Sequence, residues 1–459
     1  MKNWPRDASD FESCGIPIAA MGIDPLWPRI YKAEGDEYIE SKVPSQVHTA
    51  FVDGQVMLMK STIPQSGIIK TWEDFVNYNF TAKLHRLHAS FKNVILSFDN
   101  YEQVPIFKTL EQLKRSAASR KNFDFSSGDK IPDKPPHPDV WSHALQNRNY
   151  KTVVISIICK LLAASYKPPA LPKKLVLDFV NVVEITFSHY DTKRTVMQGL
   201  APLGESDIKW MRFVPLFGPT LVDSIDSDCI LIAFMFMQKH NWELDVYIRR
   251  MASRSIEEDK QESSKRKRGE KRSGSIQYEI INIKKLLSLL HISARQSVGS
   301  NFCVPDFKMT NMLVFLQLLS GSDFSRKIPQ LGATFLWEHL HVSVPLITMC
   351  SSDEENFEVN EDLCVDTLFV ELYRTKYCKH VAEDSSTWDS VYQDLQQSKL
   401  NDKTKSQLPD RDMLRCIIRN IKFIMHYWNI TNGSPPSDLC GKFGYVMQNG
   451  KLAFGLHTN

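Results

Sequence analysis

The sequence predicts an α/β fold: a twisted, mainly parallel sheet sandwiched by helices, with a helical C-terminal extension. Three observations lead there. Up to about residue 350, short β-rich apolar runs alternate with longer helical stretches, the order of strands joined by crossover helices. Three of those runs end in aspartate, and ligands gather at the carboxyl ends of strands in open α/β sheets. Beyond the acidic stretch SSDEENFEVNED (351–362) the remainder turns to helical periodicity, clearest in DMLRCIIRNIKFIMHYW (412–428).

In chain order, the candidate strands are TAFVD (49–53), NVILSFD (93–99), TLVDSID (220–226) and IQYEIIN (276–282). Helices are expected at 71–92, 106–121, 150–165 and 307–320, where apolar residues recur at three- and four-residue steps. Two stretches break the alternation. FDFSSGDKIPDKPPHPDV (123–140) reads as a loop, and SIEEDKQESSKRKRGEKRSGS (255–275) as a disordered charged insertion. The organisation is then a tail over 1–20, a main domain over 21–350 carrying the insertion, and a mostly helical extension over 351–459.

The chain has 459 residues, 42% hydrophobic and 24% charged, which suits one large folded domain with additions. No apolar run reaches the ~20 residues that span a bilayer. The opening MKNWPRDASDFESCG is charged where a signal peptide needs an apolar centre, so the chain is expected inside a cell with its nine cysteines reduced. Cys378 and His380 in YCKH form the one close soft-ligand couple and read as a loop with a buried thiol rather than a zinc site. The net charge of +3 does not announce a polyanion partner, because phosphate binding depends on local clusters of Lys and Arg.

The chemistry lies in the carboxylates. Asp53 and Asp99 end their own runs, Asp226 and Asp228 follow another, GESD (204–207) supplies Glu205 and Asp207, and GSDF (321–324) adds Asp323. Residues two apart on an extended segment share a face, so Asp226 and Asp228 can present two carboxylates together. Any one of these acids could simply cap a helix. Together, next to apolar runs that would bury them, they call for a cation, and hard divalent ions prefer oxygen ligands. Two such ions ~4 Å apart activate water and neutralise the leaving oxygen of a phosphodiester, with no need for a Ser, His or Cys nucleophile.

The order MGIDPLWPRI (21–30), FVDG (51–54), SFDN (97–100), GESD (204–207), SIDSD (224–228) and GSDF (321–324) resembles the flap endonuclease and XPG family of structure-specific nucleases, with a PIN-like fold. The chain reads as a divergent member, viral origin included among the readings. The resemblance implies a magnesium-dependent, two-metal nuclease in which Mn²⁺ can substitute. Its implied reaction is endonuclease or 5′ exonuclease hydrolysis of DNA at flaps or other single/double-strand junctions, in replication, repair or recombination. Asp53, Asp99 and Asp207 correspond to the first metal, Asp226 and Asp228 to the second, with Glu205 and Asp323 acting partly through water. The family also places a Lys and an Arg seven residues apart after the second aspartate. Lys108 and Arg115 have that spacing and are expected to grip the scissile phosphate, with Lys114, Arg120 and Lys121 as supporting phosphate contacts.

The departures are specific. Twenty residues precede Met21–Gly22, where the family has its initiator. The turn IPQLGAT (328–334) keeps Gly332 but has Gln330 and Thr334 where Gly and Lys are usual. Met59 stands where flap endonucleases stack an aromatic on a base; Trp210 and Tyr78 are the nearest aromatic candidates and are not assigned to that role. The tract KRKRGEKR (265–272) can bind phosphates or direct nuclear import, which makes the nucleus the expected location and the cytoplasm the other. The C-terminus carries no sliding-clamp motif, and no membrane partner is expected. Two further readings stay open: an RNA endonuclease of the same fold that degrades messenger RNA, and an inactive nuclease-derived scaffold, against which stands the retention of all seven acids.

Overall fold

The computed structural model describes residues 38–100, 123–126, 128–200, 203–224, 228–251, 278–299, 304–321, 328–351, 357–429, 445–448 and 451–454. Its centre is a nine-stranded sheet formed by β1 (Ile39–Glu40), β2 (Thr49–Asp53), β3 (Asn93–Ser97), β4 (Lys173–Asp178), β5 (Val182–Phe187), β6 (Thr192–Val196), β7 (Thr220–Asp223), β8 (Val246–Met251) and β9 (Tyr278–Asn282). The spatial order is β1-β9-β8-β7-β2-β3-β4-β5-β6. The five central strands β8, β7, β2, β3 and β4 run parallel, while β1, β9, β5 and β6 add antiparallel margins. A short hairpin, β10 (Tyr445–Gln448) with β11 (Lys451–Phe454), pairs separately.

Central parallel strands are covered on both faces, which is why they read as near-continuous apolar runs. Alternate residues serve two cores. Phe51, Ile95, Val176, Val222 and Ile248 enter one cluster, and Ala50, Val52, Val94, Leu96, Leu175, Leu177 and Leu221 enter the other. The helices that matter for the site are α1 (Gly54–Met59), α2 (Ala82–Ser90), α3 (Arg148–Ser165), α4 (Ser206–Lys209) and α5 (Asp228–Lys239). They are followed by α6 (Ile283–Val298), α7 (Asp306–Leu319), α8 (Leu340–Cys350), α9 (Glu361–Cys364) and α10 (Arg411–Asn429). Helix α5 is buried from Asp228 through Met237, because α10 packs on it along with α7. Residues of 359–428 therefore share the first core with the sheet.

Several expectations are corrected. The strand expected over 220–226 stops at Asp223, whose carboxylate is held by Arg249 of β8 through Nε–Oδ1 and Nη2–Oδ2 contacts of 3.1 and 2.6 Å. The strand expected over 93–99 stops at Ser97, because the next residues leave the ladder: Asn100 N donates to Gly204 O at 2.6 Å. The helix expected over 71–92 runs without a gap from Trp72 to Ser90 and carries a π turn at Asn77–Thr81, where Asn79 Nδ2 donates to both Thr62 O and Phe75 O. The loop over 123–140 gives way to a helix at Pro138. Strands β1, β4, β5, β6, β8, β10 and β11 are additional to those expected. The Cys378 thiol is exposed, not buried. The expected helix 106–121 and the insertion 255–275 lie outside the described residues.

Candidate metal centre

The parallel register delivers the acids. Asp53 lies level with Ser97, and Ser97 level with Asp178, across β2, β3 and β4. These three share the side-chain parity of Phe51, Ile95 and Val176, so they point to the same face of the sheet at its carboxyl edge. Immediately after β2 the chain turns into α1, and Asp53 caps that helix by accepting from Gln55 N at 2.8 Å and Val56 N at 3.2 Å. The turn requires glycine: a Cβ on Gly54 would stand 2.7 Å from Ser97 O and 2.7 Å from the Phe98 ring. The capping role weighed for isolated aspartates is thus real for Asp53, and it leaves Oδ2 for other work.

Asp99 lies two residues beyond β3 and reaches across to α4, accepting from Ser206 N at 3.0 Å. It caps that helix in place of the preceding Glu205, which makes no side-chain cap. Ser206 Oγ also donates to Ser97 O at 3.3 Å, so the GESD segment is seated on the end of β3. Glu205 is buried, at 1% exposure. Asp207 and Asp99 both stand near Asp53. Burial first, then the charges of Asp207 and Asp99, push the Asp53 carboxyl well above the usual carboxylate range. Asp228 opens α5 and is 2% exposed, and the Sγ of its neighbour Cys229 lies 3.8 Å from Asp207 Oδ1.

The structure places Asp99 and Asp207 near enough to Asp53 to act on its charge, and it ties the segment holding Glu205 to Asp99 and Asp207 to Cys229, the neighbour of Asp228. Asp226, Asp323, Lys108, Arg115, Lys114, Arg120, Lys121 and the tract 265–272 lie outside the described residues. Trp210 is wholly buried, edge-on to Phe236 at 5.1 Å, and is a core residue; Tyr78 is half exposed.

Among the described residues, no three His, Cys, Asp or Glu side chains are close enough to hold a metal ion. Their donor chemistry nevertheless fits a hard divalent ion: every donor is a carboxylate. Burial first, and then the Asp207 and Asp99 charges, raise the Asp53 carboxyl, and a cation held there would oppose that push.

The sequence reading missed four residues here. Asp178 ends β4 and would have been found by the same strand-end pattern as Asp53. Lys209 and Arg212, both buried, had no local mark that separates them from surface cations. Lys151 had one: α3 begins with Arg148 and Lys151 and has no acid in its first turn, against the preference of a helix N-terminus for negative charge. Lys151 feels the Asp99 charge, and burial lowers its ammonium below the usual lysine range.

No family profile and no curated protein sequence matches the chain. Among solved structures, it is similar to the catalytic core of Rad2 in complex with DNA substrate, at 13% identity and a TM-score of 0.32, covering 80% of each chain.

Proposed function

We propose that this protein is a divalent-metal-dependent nuclease that hydrolyses phosphodiesters at junctions of single- and double-stranded DNA. The observation that supports this reading is the approach of Asp99 and Asp207 to Asp53 at the carboxyl edge of the parallel sheet, with Glu205 and Asp228 on the segments that adjoin them. The motif order FVDG, SFDN, GESD, SIDSD, GSDF supports it independently.

In this reading, two Mg²⁺ ions when bound supply water activation and neutralisation of the leaving oxygen. Asp53, Asp99 and Asp207 would hold the first, Asp226 and Asp228 the second, with Glu205 and Asp323 bearing on them through water. Asp53 presents its remaining oxygen from a fixed cap, so its carboxylate arrives oriented. Lys151, Lys108 and Arg115 supply cations for the scissile phosphate. The buried acids exclude bulk water from one side of the site.

The test is cleavage of end-labelled flap, nick, bubble and hairpin substrates in Mg²⁺, as matched DNA and RNA, by wild-type protein and by Asp228→Asn. Cleavage at DNA junctions, lost in Asp228→Asn with binding and melting temperature retained, is the expected result. Full activity in that variant would sink the mechanism. Preferential cleavage of the RNA substrates would replace DNA by messenger RNA as the target, and no cleavage of any substrate would leave the scaffold reading.

A further inference from the structure

Beneath the acids lies a second cluster of charge that contributes no carboxylate to the proposed metal shell. Asp178 is fully buried at the end of β4. Its Oδ1 forms ion pairs with Arg212 Nη2 at 2.6 Å and Lys209 Nζ at 3.4 Å, and its Oδ2 accepts from Ser97 Oγ at 3.1 Å. Lys209, also without solvent exposure, donates to Phe98 O at 2.5 Å. Two basic side chains therefore surround one carboxylate, and all three are buried.

Such a group is a poor device for stability alone. Buried ions lose their hydration, and well-packed apolar side chains of similar size commonly serve the fold as well or better. What these residues do that apolar ones could not is fasten two particular segments. Lys209 at the end of α4 holds the carbonyl next to Asp99. Ser97 holds Asp178, Ser206 holds both Ser97 O and the Asp99 carboxylate, and Asn100 N holds Gly204 O. Residues 97–100 and 204–212 are laced together, and they carry Asp99, Glu205 and Asp207.

We propose that Asp178, Lys209 and Arg212 are positioning residues that hold Asp99 and the Glu205–Asp207 turn in register for metal binding, with their excess positive charge offsetting repulsion among the acids before an ion arrives. The inference rests on the two-ion reading above and concerns the metal-free protein.

The test is Mn²⁺ titration of the full-length metal-free protein by calorimetry, with cleavage measured against Mg²⁺ concentration. Lys209→Met should weaken ion binding by about 10–100-fold, the range for residues that orient metal ligands. Saturating Mg²⁺ should restore most of its cleavage rate. Lys209→Gln keeps a donor for Phe98 O without the charge; it should fall between, and it decides the matter if the methionine variant does not fold. A lowered melting temperature with unchanged ion affinity in these variants would overturn the proposal while leaving the nuclease reading intact. Wild-type protein that binds no divalent ion would instead remove the two-ion reading itself.

Discussion

At the scale of single residues, the site depends on how closely two strand ends approach. Gly54 is the clearest instance, since any Cβ there would collide with the Ser97 carbonyl and the Phe98 ring. Gly54→Ala must push α1 away from β3, and with it the Asp53 carboxylate. We expect a loss of about 1–3 kcal/mol in urea unfolding, the range for overpacked sites, together with a larger fall in cleavage than in nucleic-acid binding. Unchanged stability and activity would mean that the β2–β3 ends are looser than the structure shows. Asp53 was legible in the sequence because a strand end is a local property, whereas Asp99 lies two residues beyond β3 and Glu205 and Asp207 sit at the start of α4. Lys209 was not legible, since KWMR gives no sign that its ammonium is enclosed. Its burial is decided by β3 and β4, far away in the chain.

At the scale of elements, α2 shows how packing sets a titration. His88 is fully buried on α2, its ring 5.8 Å from that of Tyr166, and burial lowers its imidazole to about 4. His291 on α6 is lowered to about 4 in the same way, with Thr310 Oγ1 2.9 Å from its Nε2. Both therefore stay neutral in the folded protein while the unfolded chain takes up protons near the ordinary value of 6.5. Between those values the unfolded state binds more protons, so stability present above about pH 6.5 is lost as the pH falls toward 4. Denaturant titrations across that window should show the slope, and His88→Phe should flatten it. A slope identical in the variant would assign the acid sensitivity elsewhere. The elements themselves were partly legible: β2 was read with its observed bounds, whereas β3 and the strand ending at Asp223 were read too long. Apolar periodicity does not reveal where hydrogen bonding to a neighbour stops; Arg249 and Gly204 decide that.

At the scale of the whole molecule, the C-terminal helices complete the core that carries the site. Helix α10 buries Ile417, Ile421, Phe423, Ile424 and Trp428, and it covers α5, whose first residue is Asp228. Its polar edge is tied to the segment beginning with α9: Arg411 to Asp366, Arg415 to Asp362 and Arg419 to Glu361. Phe423→Ala should cost about 3–5 kcal/mol as a core truncation. Because α5 loses its cover, cleavage should fall with the melting transition and not separately from it. Activity that outlasts unfolding of 411–429 would show that the sheet and α5 stand without it.

By itself, the sequence determined the class of fold, the order of the acids and the amphipathic helix over 412–428, since each is written in local periodicity, strand-end chemistry or spacing. Only the tertiary structure decided which acids meet, that Asp223 turns to Arg249 instead, and that Asp178, Lys209 and Arg212 lie beneath them. The physical reason is separation along the chain. Asp99 and Ser206 are bonded across 107 positions, and that proximity is created by the parallel register of β2, β3 and β4 and the burial it imposes.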